Sequence, residues 1–454
     1  MAIVLLSGIA SAGEVPASDE SGFTFGSYGR VQPATDLEGG TARQYNLVSH
    51  GSRLDQPMYA EIEFAYRFPR PGGGPRFTMV TTLAYDGELF HYTGVWNAQS
   101  AIRNLFLQAD EVIWKPLTFW AGSRMYRGDD IYLLDFWPLD NLNTYGGGAG
   151  LFFEDTHVEV HAGANRLDTD FQRQEIDVPA RIYGAEKVVW MDRQRLVLSA
   201  RATHFFLRDE SAGFGMKAKL HTEYHHLASG SRLGIRGIND VTPDFKEYPA
   251  DDGFLAGAQF GVWGFGRNSF ANVFARYAIG LAAYDPLMVP YGLDNELKTA
   301  RAREFLLGLS ANYEIWLTGT MLGLYARRFN DADGSAYDND DAWEFIVAMR
   351  PHLVIHKHFY LAFELSHQLS KTAGLSPVSN RNLDPAVTKL SVMPLVTVGG
   401  GTYARPQLRL VYTASFVNDD AREMINAEDT RSQRSVQHFL GLGAEWWFNS
   451  SSYK

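Results

Sequence analysis

The sequence contains no cysteine. In a cytosolic protein this absence says little, but in an exported protein it removes disulfide bonds as a source of stability. It also excludes a cysteine nucleophile.

Long hydrophobic runs are also missing. No window holds about 18 consecutive apolar residues, so no transmembrane helix is predicted. A membrane β-barrel remains possible, because it carries its hydrophobicity in every second residue and averages along the chain do not reveal it.

The chain has no excess of positive charge. Lys and Arg number 41 against 52 Asp and Glu, which gives a net charge of −11. Binding to a nucleic-acid backbone depends on clusters of basic residues that release counterions, and no such cluster is evident. The composition therefore argues against a nucleic-acid partner.

Motifs that carry catalysis or hold metals are absent too. There is no G-x-x-x-x-G-K-[ST] and no G-x-S-x-G, so the GGGAG at 146–150 is predicted to be a turn rather than a phosphate-binding loop. His221 and His225 lack the HExxH order, and on a strand they would lie about 13–14 Å apart, too far to share a metal. The acidic DADG at 331–334 lacks the full spacing of a calcium loop. We therefore predict no catalytic residue, metal or cofactor.

What the chain does contain is alternation with a period of two. In the stretch 58–68, MYAEIEFAYRF, successive side chains of a strand point to opposite faces. One face carries Met58, Ala60, Ile62, Phe64, Tyr66 and Phe68. The other carries Tyr59, Glu61, Glu63, Ala65 and Arg67. The segment predicts a strand with one apolar and one charged face.

The same pattern recurs along the chain, at 272–281, 359–368 and 407–416. A soluble β-sandwich with one solvated face per sheet is the simplest interpretation. A membrane barrel is favoured instead, because aromatic residues cluster at the strand ends of the apolar face and the chain closes on FLGLGAEWWF, typical of a last barrel strand.

No repeat, Pro-rich spacer or change of composition divides the chain into domains. The start, MAIVLLSGIASAG, has a short apolar core and an A-x-A site typical of an export signal, although the positive n-region is missing. We predict a signal-peptide remnant at 1–12, a single barrel domain at 13–448 and a loose tail at 449–454.

Several segments together resemble the maltoporin family of sugar-selective outer-membrane porins. The resemblance is clear toward both ends of the chain and faint through 160–320. The segments are FTFGSYGR (23–30), GSRLDQPMYAEIEF (51–64), AIRNLFLQ (101–108), FWAGSRMYRGDDIYLLDFW (119–137), GGGAGL (146–151), AWEFIVAMRP (342–351), ARPQLRL (404–410) and GAEWWF (443–448).

This resemblance implies an all-β fold, a transmembrane antiparallel barrel of about 18 strands that assembles as a homotrimer in the outer-membrane lipid. A loop folded into the lumen would form a constriction, beside an aromatic track for sugar rings. The aromatic residues implied are Tyr28, Tyr59, Trp137, Trp447 and one of Trp343 or Phe345, with Trp96 reaching in from a neighbouring subunit. The polar partners implied are Arg30, Arg53, Glu61, Arg103, Asp130, Tyr132 and Asp135.

Some positions depart from the family pattern. Gly128 stands where a constriction arginine is expected, although Arg127 is adjacent, and Trp137 replaces a smaller aromatic residue. The cysteine pair found in the first external loop of the best-known members is missing here. These departures leave the preferred sugar open.

The expected function is facilitated diffusion of maltodextrins or related oligosaccharides, without enzymatic activity. A general or ion-selective porin on the same scaffold remains an alternative. An outer-membrane barrel enzyme with a Ser–His pair assembled from distant strands, or a soluble carbohydrate-binding module, also remains open.

Overall fold

The computed structural model describes residues 21–87, 94, 99–209, 213–234, 244–334 and 341–451, and in these ranges the chain is almost entirely β-structure. The strands are β1 Gly22–Val31, β2 Ala34–Thr35, β3 Tyr59–Arg67, β4 Arg76–Asp86, β5 Gln99–Asp110, β6 Leu117–Arg127, β7 Asn141–Phe152, β8 Thr156–Asn165, β9 Arg173–Pro179, β10 Ala185–Asp192, β11 Arg195–Asp209, β12 Phe214–Leu227, β13 Gly230–Gly234, β14 Asp244–Tyr248, β15 Asp251–Trp263, β16 Arg267–Gly280, β17 Arg303–Ile315, β18 Thr318–Asn330, β19 Ala342–His356, β20 Phe359–Thr372, β21 Ala386–Thr397, β22 Gln407–Val417 and β23 Val436–Phe448.

Helical structure is sparse. Within the described ranges one short α-helix, α1, spans Asp419–Glu423. Single 3-10 turns lie at Arg53–Asp55, Pro71–Gly73, Tyr132–Leu134, Leu281–Ala283 and Thr430–Gln433. No helix among the described residues is long and apolar enough to cross a membrane.

Antiparallel pairing of sequential neighbours closes the main sheet into a barrel. Strand β1 pairs with β3 on one side and with the last strand, β23, on the other, so the sheet has no free edge there. In the described residues the barrel has 18 strands, with the short β2 added against β23. The hairpins β9–β10 and β13–β14 stand apart as separate sheets. The predicted antiparallel barrel is confirmed.

The two faces of each barrel strand differ as the alternation predicted. On β3, Glu61 and Glu63 are buried inside the barrel, whereas the neighbouring Ile62 and Phe64 lie on its outer face. On β4 the outer face presents Phe77 at 40 % exposure. An apolar exterior around a polar interior is the arrangement that lipid requires.

The barrel has two unequal ends. The strands are joined at one end by short turns, such as 264–266 and 316–317, and at the other end by long loops, such as 32–58 and 281–302. In outer-membrane barrels the short turns face the periplasm and the long loops face outward. The start of β1 and the end of β23 lie at the end with the short turns, which in an outer-membrane barrel is the periplasmic end.

Two local expectations were wrong. The GGGAG stretch lies inside strand β7 and is not a turn. Trp120 of β6 lies against it, since a Cβ at Gly148 would come within 2.5 Å of the Trp120 indole nitrogen.

The predicted loose tail is also packed as far as Ser451, because Ser450 is only 4 % exposed. Residues 1–20 lie outside the described residues, so the predicted signal segment stays a prediction.

Candidate functional site

The loop between β6 and β7, residues 128–140, folds into the barrel. Its apolar side chains Ile131, Leu133 and Leu134 are at most 2 % exposed and pack on the inner wall formed by β16–β19. Glycine at position 323 leaves room for these side chains on the wall, since a Cβ there would lie 2.9 Å from Ile131 Cγ2. Burial of such side chains contributes about 1.5–3 kcal/mol each, so packing holds the loop in place.

Both bases of this inward loop are held by ion pairs to the adjacent strands β11 and β12. Asp129 lies 3.0 Å from the Lys217 ammonium and 3.2 Å from that of Lys219, both on β12. At the other base, Asp140 lies 3.0 Å from the Arg201 guanidinium. The loop therefore crosses the lumen as a fixed constriction.

The departure at position 128 has a structural reason. A Cβ at Gly128 would lie 2.1 Å from an Asp140 carboxylate oxygen, so any side chain there would displace Asp140 from its ion pair with Arg201. Instead the Arg127 guanidinium lies 3.7 Å from the centroid of the Trp137 ring, which is itself buried. This stack brings one cation and one large ring to the constriction.

Aromatic rings form a row beside the loop. The rings of Tyr28 and Tyr59 have centroids 5.9 Å apart, and those of Tyr132 and Trp447 are 5.8 Å apart. The Arg53 guanidinium joins the two pairs, at 5.5 Å from the Tyr28 ring and 4.5 Å from the Tyr132 ring. Rings and one guanidinium thus follow one another along the inner wall.

Two residues that the sequence analysis did not identify extend the row. Tyr403 lies 5.2 Å from Tyr132 and 5.8 Å from Phe270, between ring centroids. Tyr403 belongs to the turn 398–406 between β21 and β22, which reaches across the periplasmic mouth to β17. There the Thr402 amide donates to Glu314 at 2.8 Å. Only a run of glycines before Tyr403 marks this turn in the sequence.

Glu445 on β23 is the centre of the polar network. It is 0 % exposed and lies 3.2 Å from Arg53, 3.0 Å from Arg405 and 3.0 Å from Arg409. The Tyr132 hydroxyl donates to it at 2.9 Å. One carboxylate on β23 therefore joins the inward loop, the first external loop (residues 32–58), the turn 398–406 and strand β22.

Further ion pairs flank the ring row. Asp135 lies 3.0 Å from Arg53 and 3.7 Å from Arg30. Arg103 forms a close ion pair with Glu61, which also accepts a hydrogen bond from the Tyr59 hydroxyl at 2.6 Å. Donors and acceptors therefore alternate beside the rings.

The structure brings most of the predicted residues together at this constriction. They are Tyr28, Arg30, Arg53, Tyr59, Glu61, Arg103, Asp130, Tyr132, Asp135, Trp137 and Trp447. Trp96 lies outside the described residues.

Trp343 and Phe345 do not join this group, which corrects the expectation that one of them lines the lumen. They alternate on β19 with Glu344 and Ile346, which face inward. Trp343 is 52 % exposed on the outer surface, with the Arg328 guanidinium 5.3 Å from its ring. Because side chains on a strand alternate, neither ring can reach the interior.

A second group of rings, on β6 and β8, was also not predicted from the sequence. Trp120 and His161 lie nearly parallel at 9°, with centroids 5.5 Å apart, and Tyr126 stacks on both. Arg124 covers them, 5.1 Å from the Trp120 ring. All four side chains are less than 9 % exposed, so this group strengthens the wall rather than offering a free ring face.

His221 and His225, which the sequence places too far apart to share a metal, face inward on β12. Each shares a hydrogen bond with Glu223, at 2.7 Å and 2.6 Å. The pair is part of the wall.

Asp130 on the inward loop is a titrating group. Burial raises its pKa to about 7, and Asp135 and Asp129 act in the same direction against the opposing effect of Arg53. The carboxyl is therefore neutral below this pH and negative above it.

We expect the ratio of cation to anion permeability to increase as pH rises from about 6 to about 8, because Asp130 then gains its charge inside the constriction. Asp130→Asn should remove this step and keep the low-pH ratio throughout. Reversal potentials in a salt gradient measure both. If the permeability ratio of the Asp130→Asn channel increases by the same amount over this pH range, another group is responsible.

Comparison with known proteins gives one family. The family model described as LamB porin matches residues 23–448. Comparison with curated protein sequences gives no match.

Solved structures similar to this chain are outer-membrane proteins. OmpT of Vibrio cholerae is 10 % identical, with 96 % of this chain and 100 % of that chain covered and a TM-score of 0.39. OccAB1 of Acinetobacter baumannii is 10 % identical, with 94 % and 96 % covered and a TM-score of 0.45. A BenF-like porin from Pseudomonas fluorescens is 10 % identical, with 94 % and 97 % covered and a TM-score of 0.44.

Proposed function

Because the chain belongs to the LamB porin family and is an outer-membrane channel, we propose that it passes maltodextrins or related oligosaccharides by facilitated diffusion. The observation that carries this proposal is the ring row, in which the partly exposed rings of Tyr59, Trp447 and Tyr403 pack against the buried rings of Tyr28 and Tyr132. Phe270, also partly exposed, extends the row beyond Tyr403.

The chemistry of a sugar matches this arrangement. A pyranose ring has an apolar face, which stacks on aromatic rings, and a rim of hydroxyl groups, which exchange hydrogen bonds with charged partners. Glu61 and Asp135 offer acceptors, while Arg103 and Arg53 offer donors on the same path. Several weak sites in series let a chain of sugars bind and still leave.

The charge distribution favours an uncharged solute over an ion. Around the ring row Arg53, Arg103 and Arg405 are each paired with a carboxylate. Ion-selective pores instead use rings of one charge sign. Pairing reduces such a field and leaves directional hydrogen-bonding groups.

The proposed assembly is a homotrimer embedded in outer-membrane lipid after export, each subunit with its own channel. The family resemblance supports it, and Trp96 of one subunit would reach the channel of the next. Conductance steps that arrive in groups of three would bear out this part of the proposal.

The function is tested by single-channel conductance in a planar bilayer, with maltodextrins and sucrose titrated on one side. We expect a linear oligosaccharide to block the ion current with saturation, because it occupies the ring row. Channels that no sugar blocks would make the protein a general diffusion porin. A folded protein that forms no channel would contradict conduction itself.

A further inference from the structure

The segment that follows the last barrel strand, residues 449–451, turns into the lumen. Asn449 adopts a left-handed backbone with φ 46°, a conformation that asparagine tolerates better than most residues. Its side-chain amide donates to the Phe25 carbonyl at 3.1 Å and fixes the turn. Ser450 is buried beyond it, at 4 % exposure.

The barrel wall is shaped for this segment at Gly26 of β1. Gly26 has the same inward parity as Tyr28 and Arg30. A Cβ there would lie 2.1 Å from the Asn449 carbonyl oxygen. Any side chain at position 26 would therefore displace the segment, and glycine leaves the space that the backbone occupies.

Ser451 fixes both oxygens of the Glu63 carboxylate. Its backbone N–H donates to Oε1 at 2.9 Å and its hydroxyl donates to Oε2 at 2.5 Å. The Thr82 hydroxyl also donates to Oε2, at 2.7 Å. Among the described residues no cationic side chain forms an ion pair with Glu63. Neutral donors, two of them from Ser451, therefore satisfy this lumenal charge.

This contact lies next to the constriction. Glu63 follows Glu61 on the inner face of β3, one step closer to the periplasm. The Thr82 hydroxyl accepts from the Asn104 side-chain amide at 2.9 Å, and the Asn104 side-chain oxygen Oδ1 accepts from the Met125 backbone N–H at 2.8 Å. The segment is thus joined to the strands that carry the constriction residues.

We propose that residues 449–451 are part of the channel lining at its periplasmic exit, where they occupy the lumen and hold Glu63 away from the solute path. Without them the exit is wider and carries an unsatisfied negative charge. The segment then sets the unitary conductance and the ion preference of the channel. This role is separate from sugar recognition.

The test compares a chain that lacks residues 449–454 with a matched control that lacks only 452–454 and keeps every contact named above. Conductance and reversal potential are measured in potassium chloride without sugar. Because a freed carboxylate in a narrow pore raises the local cation concentration, we expect a roughly twofold higher cation-to-anion permeability ratio and an about 1.5-fold higher conductance. Adding Glu63→Gln to the longer truncation should return the ratio to that of the control.

Equal conductance and equal permeability ratio in the two truncated channels would overturn the proposal. If the longer truncation does not fold, Gly26→Ala tests the same point, since it expels the segment from an intact chain. A folded Gly26→Ala channel with unchanged ion permeation would also overturn it. Because no sugar is present, a failure of the sugar proposal leaves this result unaffected, and the reverse also holds.

Discussion

Replacing Glu445 with glutamine is expected to lower the stability of the folded barrel by about 3–5 kcal/mol, because breaking a buried ion pair leaves uncompensated charge. Arg53, Arg405 and Arg409 all lie within 3.2 Å of this one carboxylate. They would repel one another in the lumen, and the link between the inward loop and β23 would loosen. We expect a larger unitary conductance and a shift toward anion permeation.

Stability is measured by the temperature at which the folded form disappears in heat-modifiable electrophoresis, and permeation by bilayer recording. Asp168→Asn is the matched control, because this carboxylate is 89 % exposed and pairs with Arg173 at 3.4 Å on an outer loop. An exposed pair contributes only about 0–1 kcal/mol. Equal effects of the two substitutions would contradict a central role for Glu445.

Replacing Trp447 with alanine is expected to weaken sugar block by about tenfold, because stacking on an aromatic ring contributes roughly 0.5–1.5 kcal/mol beyond area burial. Trp447 lies against Tyr132 and carries the Arg405 guanidinium 4.3 Å from its ring centroid. Tyr59→Ala should act in the same direction, and it also removes a hydrogen bond to Glu61.

The measurement is the dissociation constant obtained from current noise or from titrated block with a linear maltodextrin. Trp343→Ala is the control, because it removes a tryptophan of the same size from the outer face of β19. We expect it to leave the block unchanged. A loss with Trp343→Ala as large as that with Trp447→Ala would place the sugar path elsewhere.

Much of the barrel was predictable because alternation is a local property. In 58–68 the alternation of apolar and polar residues shows which face of the strand each residue occupies. It correctly predicts strand β3 with Glu61 and Glu63 directed inward. The same parity argument placed Tyr59 on the inner face. Applied to β19, the parity argument places Trp343 and Phe345 on the face opposite to the inward Glu344. For these two residues it was more accurate than the lumenal position implied by the family resemblance.

Other parts of the site depend on contacts between distant segments. The turn 398–406 resembles an ordinary connection in the sequence, but its Tyr403 ring meets Tyr132 across 271 residues of chain. Ser451 and Glu63 are 388 residues apart. No periodic pattern encodes such contacts, because they depend on how loops fill the closed barrel.

The sequence by itself determined the fold class, the apolar exterior and the polar interior, since each follows from the residue period and from the requirement that lipid meets apolar side chains. The tertiary structure alone decided which lumenal residues act together. Closure of the barrel brings β1 beside β23, and the inward loop, the first external loop, the turn 398–406 and the segment after β23 then meet in one lumen. Glu445 with its arginines, the ring row through Tyr403 and the contact of Ser451 with Glu63 exist only because of that closure.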